Sequence, residues 1–192
     1  MTRDGRFLVY QETGGLGAKG PFDQTFDLWL LPLAPRGEPR PLLRTNASEM
    51  LPHLSPDGRW MAYVSDETGR DEVWVRAFPE GPSAIRVSDG GGTEPLWAPD
   101  GRTLYYRDAI GTRLLAVPVT PGEPPQFGTA SVTSGHWFAP SAYGRMYDAS
   151  PDGALLMLTA DTLGRELGVV LNFDEVIRRK LAEAKKGGAT GS

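Results

Sequence analysis

The 192-residue sequence contains no cysteine, which excludes disulfide cross-links and thiolate metal sites. Histidine is almost missing as well, with only His53 and His136 present. Any imidazole ligand or catalytic base must therefore come from one or both of these. No apolar run approaches the roughly 20 residues needed to cross a bilayer. The opening "MTRDGRFLVY" is polar where a secretory signal has its apolar core. We therefore expect a soluble chain without membrane insertion. Positive charge is in deficit, 20 Lys and Arg against 24 Asp and Glu for a net charge of −4, so the basic footprint of a nucleic-acid binder is lacking. Hydrolase elbow, phosphate loop, dinucleotide fingerprint and His-Glu-x-x-His signature are all missing.

What is present is turn chemistry. Gly (24) and Pro (17) make up more than a fifth of the chain, beside 40% hydrophobic residues. Such a mixture suits many short strands joined by tight turns. Aligning the Asp-Gly pairs gives four copies of one unit: "TRDGRFLVYQE" from Thr2, "SPDGRWMAYVS" from Ser55, "APDGRTLYYRD" from Ala98 and "SPDGALLMLTA" from Ser150. Their glycines, at 5, 58, 101 and 153, stand 53, 43 and 52 residues apart. A period in this range marks a propeller blade or a solenoid unit.

Each copy repeats one grammar. Asp hydrogen-bonds locally, and Gly takes the left-handed backbone conformation that strains other residues. A strand follows ("RFLVY", "RWMAYV", "TLYYR", "ALLML"), then a polar turn and a second strand ("FDLWLLPL", "DEVWVRAF", "TRLLAVPV", "ELGVVLNF"). A further strand follows in "RPLLRT" and "AIRVSD", and short strands precede the later turns in "MLPHL", "EPLW" and "RMYDA". The unit is a four-stranded antiparallel blade, and the fold class is all-β, a partial propeller of about four blades spanning 1–173. A short helix over 174–186 is expected to pack on the blades, with Asn172 as N-cap, Glu175 completing a capping box, and Phe173, Val176, Ile177 and Leu181 forming its apolar stripe. Residues 187–192 read as a flexible tail.

The blade pattern resembles that of the TolB-like β-propeller family, "SPDG(R/K)xxAYxS…G…xxWV", which Ser55 to Phe78 matches almost completely. The resemblance runs from Thr2 to about Phe173. The ending "LGVVLNFDEVIRRKL" is similar to the C-terminus of propeller domains attached to bacterial eukaryotic-like serine/threonine kinases, where a "VVLNW" strand and a short helix close the protein. This resemblance implies a ligand- or protein-binding module, often extracytoplasmic in bacteria. TolB-like propellers usually have six or more blades, so the chain looks like the C-terminal portion of a larger ring. An open arc leaves two apolar blade flanks uncovered, which predicts a homodimer or a higher closed oligomer, for instance two arcs making eight blades.

Residues with chemistry are few. His53 lies two places before Ser55; Leu96 and Asp148 hold the same place before Ala98 and Ser150. Glu49, Glu94 and Asp148 fall in or beside innermost strands, which surround the axis, and His136 lies in the long connection before the last of them. His53, His136, Asp148 and Glu94 could thus hold a divalent cation such as zinc, whose bound water would permit hydrolysis of esters or phosphoesters, phosphotriesters included. The competing structural reading has His53 bonding between blades, Asp148 capping a turn and His136 merely exposed. Ser55 and Ser150 read as turn hydroxyls, the Gly14–Gly17 stretch as a blade loop, and Trp60, Trp74 and Trp97 as packing residues. Trp137, Phe138 and Tyr143, in "HWFAPSAYG", are the candidates for a binding surface.

Overall fold

The structure, a computed structural model, describes residues 1–14, 25–81, 84–134, 144–160 and 167–170. Its strands form four separate antiparallel sheets in chain order. The first blade holds β1 (Phe7–Thr13), β2 (Phe26–Pro32) and β3 (Arg40–Leu43). The second holds β4 (Glu49–Leu54), β5 (Trp60–Ser65), β6 (Glu72–Ala77) and β7 (Ile85–Arg86). The third holds β8 (Thr93–Trp97), β9 (Thr103–Arg107) and β10 (Leu114–Thr120), with β11 (Gln126–Phe127) and β12 (Ser131–Ser134) following one another along the outer edge of β10. The fourth holds β13 (Tyr147–Ala149), β14 (Leu155–Ala160) and β15 (Leu167–Val170). The four blades expected from the repeat are therefore observed. The first lacks an innermost strand among the described residues, and the expected C-terminal helix lies outside them.

The repeated turn is built the same way each time. The N–H groups of Gly5, Gly58, Gly101 and Gly153 donate to the carbonyls of Thr2, Ser55, Ala98 and Ser150 at 2.8–3.0 Å. Each glycine has φ between 68° and 86°, where a side chain would be strained. The Asp before each glycine accepts the N–H two residues on: Arg6 to Asp4, Arg59 to Asp57, Arg102 to Asp100 and Ala154 to Asp152. The Ser55 hydroxyl donates to Asp57 and accepts the Trp60 N–H, a role internal to the turn.

Apolar residues alternate along the second strand of each blade, so one set faces the preceding blade and the other the following one. Met61 and Tyr63 pack on Leu28 of blade 1. Leu104 and Tyr106 pack on Ala62, Val73 and Val75 of blade 2. Leu155 and Met157 pack on Leu96 and Leu114 of blade 3. The core is thus three successive inter-blade layers, with Trp97 in the second and Trp60 and Trp74 packed at the margins.

Antiparallel order fixes two ends of the arc. The Asp-Gly turns lie at one, called the turn end. At the other, the loop end, innermost strands begin and the chain passes from β1 to β2, from β12 to β13 and from β14 to β15.

Candidate functional site

Innermost strands β4 and β8 each slip register once, between Met50 and His53 and between Thr93 and Leu96. Pro52 and Pro95 sit inside these slips and have no N–H to give the ladder, so a bulge forms there. The residue before each proline, Leu51 or Glu94, takes a left-handed backbone, with φ 53° and 54°. At Glu94 this conformation places a carboxylate inside the loop end of blade 3.

That carboxylate is fully engaged. Glu94 and Arg107 are each 3% exposed at the side chain, and Arg107 Nη1 donates to Glu94 Oε1 at 2.8 Å. Arg107 Nη2 also donates to the Gly111 carbonyl. Glu94 Oε2 accepts the Met146 N–H at 3.0 Å, while the Tyr147 hydroxyl donates to the Glu94 carbonyl at 2.5 Å. Burial pushes the Glu94 carboxyl above its usual range, opposed by the Met146 N–H and Arg107. One residue therefore fastens blade 3 to blade 4 through side chain and backbone.

Other sites repeat the device. The Leu51 N–H donates to Gln11 Oε1 at 3.0 Å, fastening blade 1 to blade 2. The Trp97 N–H donates to His53 Nδ1 at 3.0 Å, fastening blade 2 to blade 3. Burial, then Arg145, then the N-terminal ammonium push the His53 imidazole down to about 3, so it is neutral at physiological pH. The Arg145 guanidinium is itself depressed by burial, and its Nε meets no acceptor among the described residues.

Of the four candidate metal ligands, His53 and Glu94 are thus engaged in bonds between blades. Asp148 is exposed, its carboxylate accepting the Ala149 N–H at 2.8 Å. His136 lies outside the described residues, as do Trp137, Phe138 and Tyr143. Among the described residues no three His, Asp or Glu side chains gather in a way that could hold a metal ion. The Glu94–Arg107 pair was not anticipated from sequence. Its signal was Arg107 itself, a charge at the repeat position that is Gln11 in blade 1 and Val64 in blade 2.

Two inter-blade clefts open at the turn end. One, of about 130 Å3, lies between Trp60 and Trp97 and is rimmed by Asp57, Arg59 and Asp100. The other, of about 390 Å3, lies between Phe7 and Phe78, whose rings meet edge to face at 6.2 Å.

No protein-family model matches the sequence. Over 62 residues the chain is 36% identical to the "Uncharacterized peptidase YuxL" of Bacillus subtilis (strain 168), a stretch covering 31% of this chain and 9% of that protein. The structure of a putative TolB from Agrobacterium tumefaciens matches with a TM-score of 0.53 at 18% identity, over 88% of this chain and 62% of that one. The chain resembles a TolB-like β-propeller. A puromycin-hydrolyzing peptidase of Mycobacterium tuberculosis matches with a TM-score of 0.57 at 20% identity, over 88% of this chain and 30% of its own. The likeness is therefore one of fold, and the chain spans only part of each relative's length. Among the described residues no helix is long and apolar enough to cross a membrane.

Proposed function

We propose that this TolB-like arc is a binding module for a protein or small ligand, with the loop end as its recognition face. The observation that carries this reading is how the loop end is built. Glu94, Arg107 and Tyr147 are used to lock blades into a rigid frame, and the longest connections leave from that frame. Rigid strands presenting variable loops are the usual architecture of a recognition surface. The aromatic trio Trp137, Phe138 and Tyr143 falls in one such connection, between β12 and β13. Aromatic side chains bring large contact area at little entropic cost.

The test is a thermal-shift screen of the full chain against short peptides and small metabolites. Hits should be lost in Trp137→Ala and Tyr143→Ala while the unliganded melting temperature stays unchanged. The same chain should be assayed for ester, phosphoester and peptide hydrolysis with added zinc or manganese. Turnover that is lost on chelation and in His53→Ala or His136→Ala would replace the binding module with a metal-dependent hydrolase.

A further inference from the structure

The internal interfaces of the arc show which surfaces belong together. In blades 2, 3 and 4 the residues facing the preceding blade are Met61 and Tyr63, Leu104 and Tyr106, and Leu155 and Met157, all at most 4% exposed. By register, blade 1 has Leu8 and Tyr10 at these two positions, and both keep partial exposure. Leu8 stands opposite Leu31 and Tyr10 opposite Trp29, so a stripe of four large apolar residues lies on a flank that no described blade covers. At the other end of the arc, Leu156 and Leu158 alternate with the buried Leu155 and Met157 and point away from blade 3. Asp148 stands opposite Leu156 on that same flank.

We propose that two copies of this chain join head to tail, the Leu8–Tyr10–Trp29–Leu31 flank of each packing on the Leu156–Leu158 flank of the other. The occupant follows from the three interfaces inside the arc. In each of them an aliphatic flank of one blade receives a Leu or Met and a Tyr or Met from the next, and the two flanks that no described blade covers are the unmatched halves of that same contact. A heterologous contact repeated twice closes a ring, and two arcs of four blades give eight, within the range propellers adopt. Asp148 occupies the place of His53 in the ladder, and its carboxylate is exposed on that flank. Among the described residues the inner edge of β1 is also unpaired: β5, β9 and β14 each pair with an innermost strand, and β1 ends its sheet. The inference rests on the reading of the chain as a partial propeller, and it adds the partner and the polarity of the contact.

Light scattering coupled to size exclusion tests it on the full chain. The wild type should run at twice the 20.8 kDa chain mass at micromolar concentration. Leu8→Lys and Leu156→Lys, each alone, should run at the single-chain mass, since every interface then carries a lysine. Their equimolar mixture should recover a two-chain species, because one unaltered pair of flanks remains. A single-chain wild type, a mixture that stays single-chain, or a Leu156→Lys protein that remains two-chain while Leu8→Lys does not would each overturn the proposal. Far-UV circular dichroism checks that each variant folds, and Leu8→Ser and Leu156→Ser replace any lysine variant that does not. A single-chain mass with thermal-shift hits retained would remove the dimer and leave the binding module standing.

Discussion

The Trp97 N–H is held by the imidazole of His53, 44 residues earlier in the chain, at 3.0 Å. The bond runs between the innermost strands of two blades, and the ring must be unprotonated to accept it. Burial, the Arg145 guanidinium and the N-terminal ammonium together hold the His53 pKa at about 3, below its ordinary 6.5. The unfolded chain therefore binds a proton between those two values that the folded chain refuses. The stability tied to this residue is complete above pH 6.5 and is lost as pH falls toward 3. Buried Glu94 and Glu49 act in the opposite sense, because burial raises their pKa and favours protonation in the fold. His53→Asn supplies an acceptor near the same place without a titrating ring, so its melting temperature should fall less between pH 7 and pH 5 than that of the wild type. His53→Leu should lose about 1–3 kcal/mol at neutral pH, the cost of a buried N–H left without a partner, and that deficit should shrink as pH falls below 6.5. Equal pH slopes for wild type and His53→Asn would refute the assignment.

Glu94 and Arg107 are a buried pair in which each charge depends on the other. Glu94→Gln removes the charge that faces the buried Arg107 guanidinium at 2.8 Å, and urea unfolding should show a loss of about 3–5 kcal/mol. Arg107→Met alone should also destabilise, since it strands the carboxylate. The double variant should cost less than the two single losses added together, because neither charge is then left alone. Additive losses would show that the two side chains do not act as a pair.

Much of this architecture is legible in the sequence, and the reasons are local. The glycine left-handed positions, the Asp three residues before each strand and the alternation in "RWMAYV" or "ALLML" are all short-range signals, and every one lands in a blade. The split outer edge of blade 3 is not legible, since "GEPPQFGTASVTS" has neither alternation nor a clear apolar run. The left-handed backbone at Glu94 is hidden too, because a residue before proline ordinarily reads as extended. His53 could be singled out as one of two histidines, but choosing between a metal ligand and an inter-blade acceptor required knowing what stood opposite it. That partner, the backbone of Trp97, is a tertiary neighbour and leaves no trace in local spacing. The alternation of Leu8 and Tyr10 shows that they face one side of a sheet, and only the packing shows that no described blade lies on that side.

Ser88 is a joint of a similar kind at the loop end of blade 2. Its hydroxyl accepts the Val73 N–H at 2.8 Å and donates to Glu72, whose other oxygen accepts the Gly91 N–H at 3.0 Å. Both Ser88 and Glu72 are buried, so Ser88→Ala strands a donor and weakens the support of a carboxylate together. Chemical denaturation should report a loss of about 2–4 kcal/mol. Ser131→Ala, which removes an exposed hydroxyl at the outer edge of blade 3, should change stability by less than about 0.5 kcal/mol. Comparable effects at the two sites would mean that the Ser88 joint carries no load.

Leu8 and Leu104 hold the same place in blades 1 and 3, and the difference between them isolates the free flank. Leu104 is fully buried against Ala62, Val73 and Val75 within one chain. Leu104→Ala should therefore cost about 2–5 kcal/mol at any protein concentration. No described blade covers Leu8, and on the proposal above its equivalent partner is another copy. If the two arcs join, the wild-type melting temperature rises with protein concentration, because association draws on the folded state alone. Leu8→Ala removes part of the contact that drives that rise, so its deficit relative to wild type should be small in dilute solution and should widen as concentration increases. A Leu8→Ala deficit that stays constant from dilute to concentrated protein would place the whole effect inside one chain and leave the flank without a partner.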